Sequence, residues 1–418
     1  MTAGQREFDI VIYGATGFVG KLTAEYLAKA GGQARIALAG RSPERLAAVR
    51  ATLGGGAQSW PILEADASSP SSLEDMAART RVVVTTVGPY TRYGLPLVAA
   101  CAAAGTDYAD LTGEPMFVRK SIDDYHKQAI DTGARIVHGC GFDSIPSDMT
   151  VYELFRRAKQ DGEGELLDTN FVLRGFSGGA SGGTIASMLE VLREASADPE
   201  NRRLLNDPYT LSPDRAAEPE LGGQPDVRWR RGRDIAPELR GLWATAFAMA
   251  VPNSRVVRRS NALLDYAYGR RFNYGEYMSV GPSPLAPVIS GMVAAAAATG
   301  TALGSRFFRF LPRKLVERVA PKPGTGPSEE VRENGWYRVE TYTTTTSGAR
   351  YVATMAQSGD PGYKATSVML GECGLALALD RDRLPELYGV LTPAAAMGEA
   401  LLARFPGAHI SLESSRLN

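Results

Sequence analysis

The feature that most constrains this chain lies in its first twenty residues. An apolar run, Phe8-Asp9-Ile10-Val11-Ile12-Tyr13, breaks on Gly14-Ala15-Thr16-Gly17-Phe18-Val19-Gly20 and continues as Lys-Leu-Thr-Ala-Glu-Tyr-Leu. A strand that enters a helix through such a turn needs each glycine for a different reason. Gly14 permits the tight turn, Gly17 lets the backbone approach a pyrophosphate, and Gly20 lets helix and strand pack closely. The phosphates then rest on the helix N-terminus, where unpaired N–H groups and the macrodipole favour negative charge. The spacing is G-x-x-G-x-x-G, and its position between strand and helix favours a dinucleotide turn over a purely structural βα turn. Gly14, Ala15, Thr16, Gly17, Phe18, Val19 and Gly20 are therefore the expected cofactor contacts.

The next strand bears on which cofactor. Arg35-Ile36-Ala37-Leu38-Ala39-Gly40 ends on Arg41 and Ser42, where an NAD enzyme would place an acid for the ribose 2′-OH. A guanidinium there pairs with a 2′-phosphate, so NADPH is expected over NADH. The bland alternative is that Arg41 is only a solvated helix-start residue.

Further strands alternate with helical segments. They are Trp60 to Glu64, Arg81 to Val87, Asp107-Tyr108-Ala109 and Arg135-Ile136-Val137-His138, about six strands in all. Such alternation predicts an α/β chain whose N-terminal part is a Rossmann-type, doubly wound parallel sheet with ligands at the carboxyl ends of its strands. Asp66 is then a candidate for the adenine side, and Val87, Gly88 and Pro89, followed by Tyr90, for the path toward nicotinamide. Each is equally readable as a strand-end or turn residue.

Composition narrows the class. The 418 residues suggest two or three domains, and 46 basic against 46 acidic side chains leave no global field for nucleic acid. Cys101, Cys140 and Cys373 are too few and too scattered for a disulfide framework. His126, His138 and His409 show no paired metal-ligand spacing, so no metal site is expected. No basic region followed by an apolar segment opens the chain, which makes the cytoplasm the expected location. No tyrosine has a lysine four residues on, which removes the short-chain reductase pair.

After the last of these strands, His138-Gly139-Cys140-Gly141-Phe142-Asp143-Ser144-Ile145-Pro146-Ser147-Asp148 gathers turn formers and polar groups before a helical stretch from Met149 to Ala158. A loop at that point faces the cofactor crevice. Its Ser and Asp side chains are readable either as helix caps or as catalytic groups.

Several of these motifs together resemble the saccharopine-dehydrogenase-like oxidoreductases. They are Tyr-Gly-Ala-Thr-Gly-Phe-Val-Gly-Lys from Tyr13, Leu-Ala-Gly-Arg-Ser to Ser42, Val-Gly-Pro-Tyr to Tyr90, Asp-Tyr-Ala-Asp-Leu-Thr-Gly-Glu at 107 to 114, and Gly-Phe-Asp-Ser-Ile-Pro-Ser-Asp to Asp148. Over essentially the whole chain the sequence resembles the mycobacterial trans-acting enoyl reductases of phthiocerol-type lipid assembly, which supply enoyl reduction to a polyketide synthase lacking it. The resemblance implies an NADPH-dependent reductase acting on an enoyl thioester, held by an acyl carrier domain of the synthase. Hydride would pass to the β-carbon, and the enolate oxygen would need donors. Ser144, Tyr90 and the backbone of Gly139 to Phe142 are the candidates, with His138 as a proton source. Two other readings stay open: a saccharopine-like imine or amine oxidoreductase, and a non-catalytic NADP-binding lipid or membrane adaptor.

The remainder, residues 151–418 beside a dinucleotide domain at 1–150, reads as an α+β substrate or partner domain. Ser177-Gly178-Gly179-Ala180-Ser181-Gly182-Gly183-Thr184 is either an anion-holding loop or a tight turn between a strand at Thr169 to Arg174 and a helix at Ile185 to Ala195. Asp207 to Glu238 holds five prolines and reads as a long loop or lid, with basic runs at 228–233 and at Arg255, Arg258 and Arg259 that suit an acidic partner or a solvated face. Met278 to Ser305 carries no charge and is open between a core helix, an interfacial or acyl-binding helix and a span, with 285–314 as the peripheral membrane contact. Trp336 to Thr346, Ser347-Gly348 and Ala349 to Gln357 predict a hairpin in an antiparallel sheet. Helices are predicted over Ala365 to Ala378, Arg383 to Leu391 and Pro393 to Arg404, the last ones returning to the Rossmann unit.

Overall fold

The computed structural model describes residues 6–178, 198–226, 229–281 and 326–418. Its first strands are β1 (Phe8–Tyr13), β2 (Ile36–Gly40), β3 (Ile62–Glu64), β4 (Thr80–Thr85), β5 (Asp107–Ala109) and β6 (Arg135–Val137). The others are β7 (Leu166–Ser177), β8 (Arg230–Arg231), β9 (Trp243–Ala246), β10 (Asn273–Gly281), β11 (Trp336–Thr345), β12 (Arg350–Ser358), β13 (Gly389–Leu391) and β14 (Ser411–Leu417). Helices are α1 (Phe18–Ala30), α2 (Pro43–Thr52), α3 (Pro70–Arg79), α4 (Tyr90–Ala104), α5 (Pro115–Thr132), α6 (Ile145–Asp161), α7 (Pro199–Asn206), α8 (Ala250–Leu263), α9 (Glu329–Glu333), α10 (Thr366–Leu379) and α11 (Pro393–Arg404).

The first sheet runs β3-β2-β1-β4-β5-β6-β13, and all its neighbours pair in parallel. Strands buried on both faces read as continuous apolar runs, which is why β1, β2 and β4 are so rich in Ile, Val and Ala. On one face Val11, Val83 and Tyr108 pack with Leu73 and Met76 of α3, Leu97 and Val98 of α4, and Phe117 of α5. On the other, Ile10, Ile12 and Val84 meet Leu27 of α1 and Met369 and Cys373 of α10. A Cβ on Gly371 would stand 2.6 Å from the Tyr26 ring, so glycine is what lets α10 lie close against α1. Tyr26 also donates to Glu372 at 2.5 Å.

The second sheet runs β14-β12-β11-β7-β10-β9-β8, with β7 and β10 parallel and every other neighbour antiparallel. Its hairpin, β11 and β12, turns at the Ser347-Gly348 position read from the sequence, with Gly348 at φ +89°. Phe171, Leu173, Tyr337, Val339 and Met355 from this sheet share one core with Met149 and Leu154 of α6 and Val257 of α8. A Rossmann-type sheet followed by a second sheet with antiparallel strands is the α/β architecture expected above.

Two expectations are corrected. Arg383 to Leu391 is not a helix: a 3-10 turn at Arg381–Arg383 leads past Pro385 to β13, whose Gly389 stands at φ +111°. A helix there would lose a donor at the proline and leave the edge of β6 unpaired, whereas a strand satisfies that edge. The cluster Arg255, Arg258 and Arg259 is not a solvated or docking face, being only 2 %, 4 % and 1 % exposed. On α8 these guanidiniums turn inward and donate to backbone carbonyls of Leu205, Pro208, Leu211, Tyr274 and Val390, tying the 205–211 segment and β13 to the core. Burial pushes the pKa of Arg259 down to about 9. The loop Gly179 to Thr184, the helix at 185–195, Arg228 and the stretches 282–305 and 285–314 lie outside the described residues.

Candidate functional site

At the carboxyl end of the parallel sheet, Gly14 has φ +89°, and a Cβ there would meet Val87 Cγ2 at 2.7 Å. A Cβ on Gly20 would stand 2.2 Å from the Gly14 carbonyl oxygen, so this position closes α1 onto the strand end. Gly17 is exposed, and a Cβ there would touch only Gly14 O, at 3.2 Å. The space above it is open to a ligand. Ala15 is buried beneath the turn while Thr16, Phe18 and Val19 are half-buried around it.

Some other helix N-termini nearby are closed by the protein's own side chains, whereas α3, α5 and α6 start without a side-chain cap. Ser42 Oγ accepts from Arg45 N at 3.3 Å, capping α2, and the Glu114 carboxylate accepts from Tyr90 N at 3.1 Å and Thr91 N at 2.8 Å, capping α4. Asp360 accepts from Lys364 N at 3.1 Å in the turn before α10. By contrast α1 starts at Gly17 with no side-chain cap and no acid in its first turn. Its free N–H groups fit the pyrophosphate of a dinucleotide.

Arg41 is exposed at the end of β2 and, among the described residues, forms no ion pair. Arg41 and Asp66 both act on Tyr13: burial raises the phenol to about 12, Asp66 adds to that and Arg41 opposes it. Asp66 itself is held in a local turn, its Oδ1 accepting from Ser68 N and Ser68 Oγ, both at 2.8 Å. These bonds, with Arg41, keep its carboxyl below the usual range. Arg41→Asp is expected to weaken NADPH binding by about 1.5 to 3 kcal/mol, the worth of one charge-assisted contact, and to leave NADH binding nearly unchanged. Calorimetric titration of both nucleotides checks this; equal wild-type affinities would refute it.

The residues offered above as catalytic are engaged inside the fold. His138 is 3 % exposed, with Nδ1 2.7 Å from Asp110 Oδ2 and Nε2 2.9 Å from Ser121 Oγ. The Tyr90 hydroxyl donates to Thr85 O and accepts from Leu111 N, both at 3.2 Å. Ser144 donates to Asn253 Oδ1 at 3.1 Å. Of the Gly139 to Phe142 amides, Gly139 N donates to Asp110 Oδ1, Cys140 N to Asp110 O and Phe142 N to Thr366 Oγ1. The 107–114 motif is likewise internal. Asp107 pairs with Arg381 at 2.6 Å, and Asp110 binds His138, Tyr108, Thr112 and Gly139.

Sequence reasoning missed a buried polar group under this loop. Asn253 of α8 donates to Ser147 Oγ at 3.2 Å and to Glu276 Oε2 at 3.0 Å, and Tyr274 donates to Glu276 Oε1 at 2.8 Å. Burial raises the Glu276 carboxyl to about 8, against the pull of its hydrogen bonds from Ser147, Tyr274 and Asn253. Apolar groups border the same region. Phe142 packs edge-on against Tyr337 with centroids 4.7 Å apart, Phe171 lies 5.8 Å from Phe247, and a Cβ on Gly113 would meet Met249 Cε at 2.8 Å. Among the described residues no cluster of His, Cys, Asp and Glu could hold a metal ion, and no helix is long and apolar enough to cross a membrane.

Residues 10–137 match the saccharopine dehydrogenase NADP-binding domain. The apo saccharopine dehydrogenase (L-Glu forming) of Saccharomyces cerevisiae shares the fold at TM-score 0.55, covering 98 % of this chain and 99 % of its own at 13 % identity. The N-terminal part is thus an NADP-binding domain of the saccharopine dehydrogenase type, in a chain that shares that enzyme's fold, and the class is an oxidoreductase. Within it, the chain belongs to the family of trans-acting enoyl reductases. It is 64 % identical to the trans-acting enoyl reductase of Mycobacterium bovis and 72 % identical to Rv2449c of Mycobacterium tuberculosis, which carries the same name provisionally, each over 100 % of both chains.

Proposed function

We propose that this oxidoreductase is an NADPH-dependent enoyl reductase acting in trans on an enoyl thioester of polyketide-derived, phthiocerol-type lipid assembly, delivered by an acyl carrier domain. The observation that carries the reading is identity over the full length with relatives named trans-acting enoyl reductases. When bound, NADPH supplies a hydride from nicotinamide C4 to the β-carbon of the enoyl group. This chain's part is to hold and orient. The uncapped start of α1 takes the pyrophosphate, Arg41 takes the 2′-phosphate, and Asp66, Val87, Gly88 and Pro89 flank the path of the nucleotide. Phe142, Phe247 and Met249 favour an apolar acyl chain over a charged amino acid. His138, Tyr90 and Ser144 act by fixing the crevice loop, because their polar atoms already have partners in the fold.

The test is NADPH oxidation by the purified protein with short and long enoyl thioesters, beside saccharopine and pairs of keto acid and amine. Turnover of the thioesters alone is expected. Turnover confined to the amino and keto acids would establish the imine reductase instead. Nucleotide binding without any turnover would favour the adaptor.

A further inference from the structure

Phe18, the first residue of α1, is gripped by residues from far along the chain. Its ring packs edge-on against Tyr363, with centroids 4.9 Å apart and planes at 74°. The Arg332 guanidinium of α9 lies over the same ring, 5.2 Å from the centroid. The backbone at Gly326 passes so near that a Cβ there would fall 2.3 Å from Phe18 Cζ. Segment 326–333 therefore crosses directly beside the start of α1, which has no side-chain cap.

Charges along this segment are unevenly engaged. Glu333 forms an ion pair with Lys364, and Glu329 and Glu330 are exposed in the first turn of α9. Arg332 is half-buried, donates one hydrogen bond, to Pro327 O at 2.7 Å, and forms no ion pair among the described residues. Asp360, fully buried nearby, senses its charge, but one of its oxygens has no hydrogen-bond partner among the described residues. A guanidinium presents five donors in a fixed fork, and stacking on Phe18 uses its face while leaving edge donors directed outward.

We propose that Arg332 binds the cofactor pyrophosphate, so that the dinucleotide is held between the α1 turn and a cation from the C-terminal part of the chain. The anion is the pyrophosphate and not the 2′-phosphate, because Arg332 stands beside Phe18 at the start of α1 whereas Arg41 stands at the end of β2. The proposal rests on the nucleotide lying on the Gly14–Gly20 turn.

The two phosphates are separable by experiment. Arg332→Gln keeps most of the stem over Phe18 and removes the charge, and Arg332→Lys keeps the charge without the fork. Binding of NADPH and NADH to the full chain is measured by calorimetry at low and moderate salt, with a thermal melt as the folding check. Arg332→Gln is expected to weaken both nucleotides about tenfold, equivalent to about 1.4 kcal/mol, with their ratio unchanged and a shallower salt dependence. Arg332→Lys should recover part of the loss. Unchanged binding of both nucleotides, or a loss confined to NADPH, would overturn the assignment. Gly17→Val serves as the control for the turn. If it abolishes binding while Arg332→Gln is silent, only Arg332 is withdrawn; if Gly17→Val binds normally, the placement of the nucleotide fails and Arg332 with it.

Discussion

Gly20→Ala is expected to abolish NADPH binding and to lower the melting temperature markedly, although it adds a single methyl group. The new carbon would stand 2.2 Å from the Gly14 carbonyl oxygen, 2.8 Å from the Gly14 carbonyl carbon and 2.8 Å from Thr86 Oγ1. The first two are backbone, so no rotamer change relieves the clash. Either α1 must draw away from the strand end or the turn must open, and both moves break the Gly17 N–H bond to Gly14 O and misdirect the amides at the start of α1. Overpacking of this kind costs roughly 1 to 3 kcal/mol or more, a large share of the ~5 to 15 kcal/mol that holds a domain folded. Gly17→Val should behave differently. Its Cβ has open space above it, so the melt should stay near the wild type while titration shows no binding, because the branched side chain stands where the phosphates belong. Finding that Gly20→Ala melts and binds like the wild type would mean that helix and strand are not in close contact.

A second large effect is expected at Glu276. In the unfolded chain this carboxyl ionises near 4.5, while in the folded protein burial holds it protonated up to about 8. Between those values the folded state retains a proton that the unfolded state has released. Stability is therefore full below about pH 4.5 and declines as pH rises toward 8. A shift of that size corresponds to on the order of a few kcal/mol. Asp148, raised to about 7 by burial, adds a slope of the same sign over a lower window. Glu276→Gln removes one of the two titrations, and an Asn253 amide turned over can still pair with it. The variant should show a flatter fall in melting temperature between pH 5 and 8 than the wild type, with a gain relative to it that grows with pH. Parallel curves for the two proteins would show that Glu276 is not held neutral.

What could be read in advance was local. The glycine turn, the apolar strands and the hairpin around Ser347-Gly348 each announce themselves within about ten residues, because backbone sterics and strand burial act at that range. Groups assembled from distant elements leave no such mark. Glu276 sits in Tyr274-Gly275-Glu276-Tyr277, where alternation puts it on one face with Tyr274 but nothing local says that a carboxyl can be buried there; Asn253 and Ser147 arrive from two helices to pair with it. Arg255, Arg258 and Arg259 follow the spacing of one helix face, and that spacing is the same whether the face meets water or the carbonyls of another segment. The capping alternative does not hold for Ser144, whose hydroxyl donates to Asn253 and caps no amide of α6. What the sequence could not reveal is that His138 and Tyr90 would have partners on both sides, since Asp110, Thr85 and Leu111 reach them from strand ends of the parallel sheet and Ser121 from α5.

Strand β13 has a consequence for how the protein is made. The nucleotide-binding sheet takes its last strand from Gly389–Leu391, and its face against α1 is covered by α10, which follows residue 365. A growing chain that has emerged only through β6 carries the whole glycine turn yet has an open sheet edge and a bare apolar face. The first third of the molecule must wait, guarded against sticking to its neighbours, until nearly all of the rest has left the ribosome.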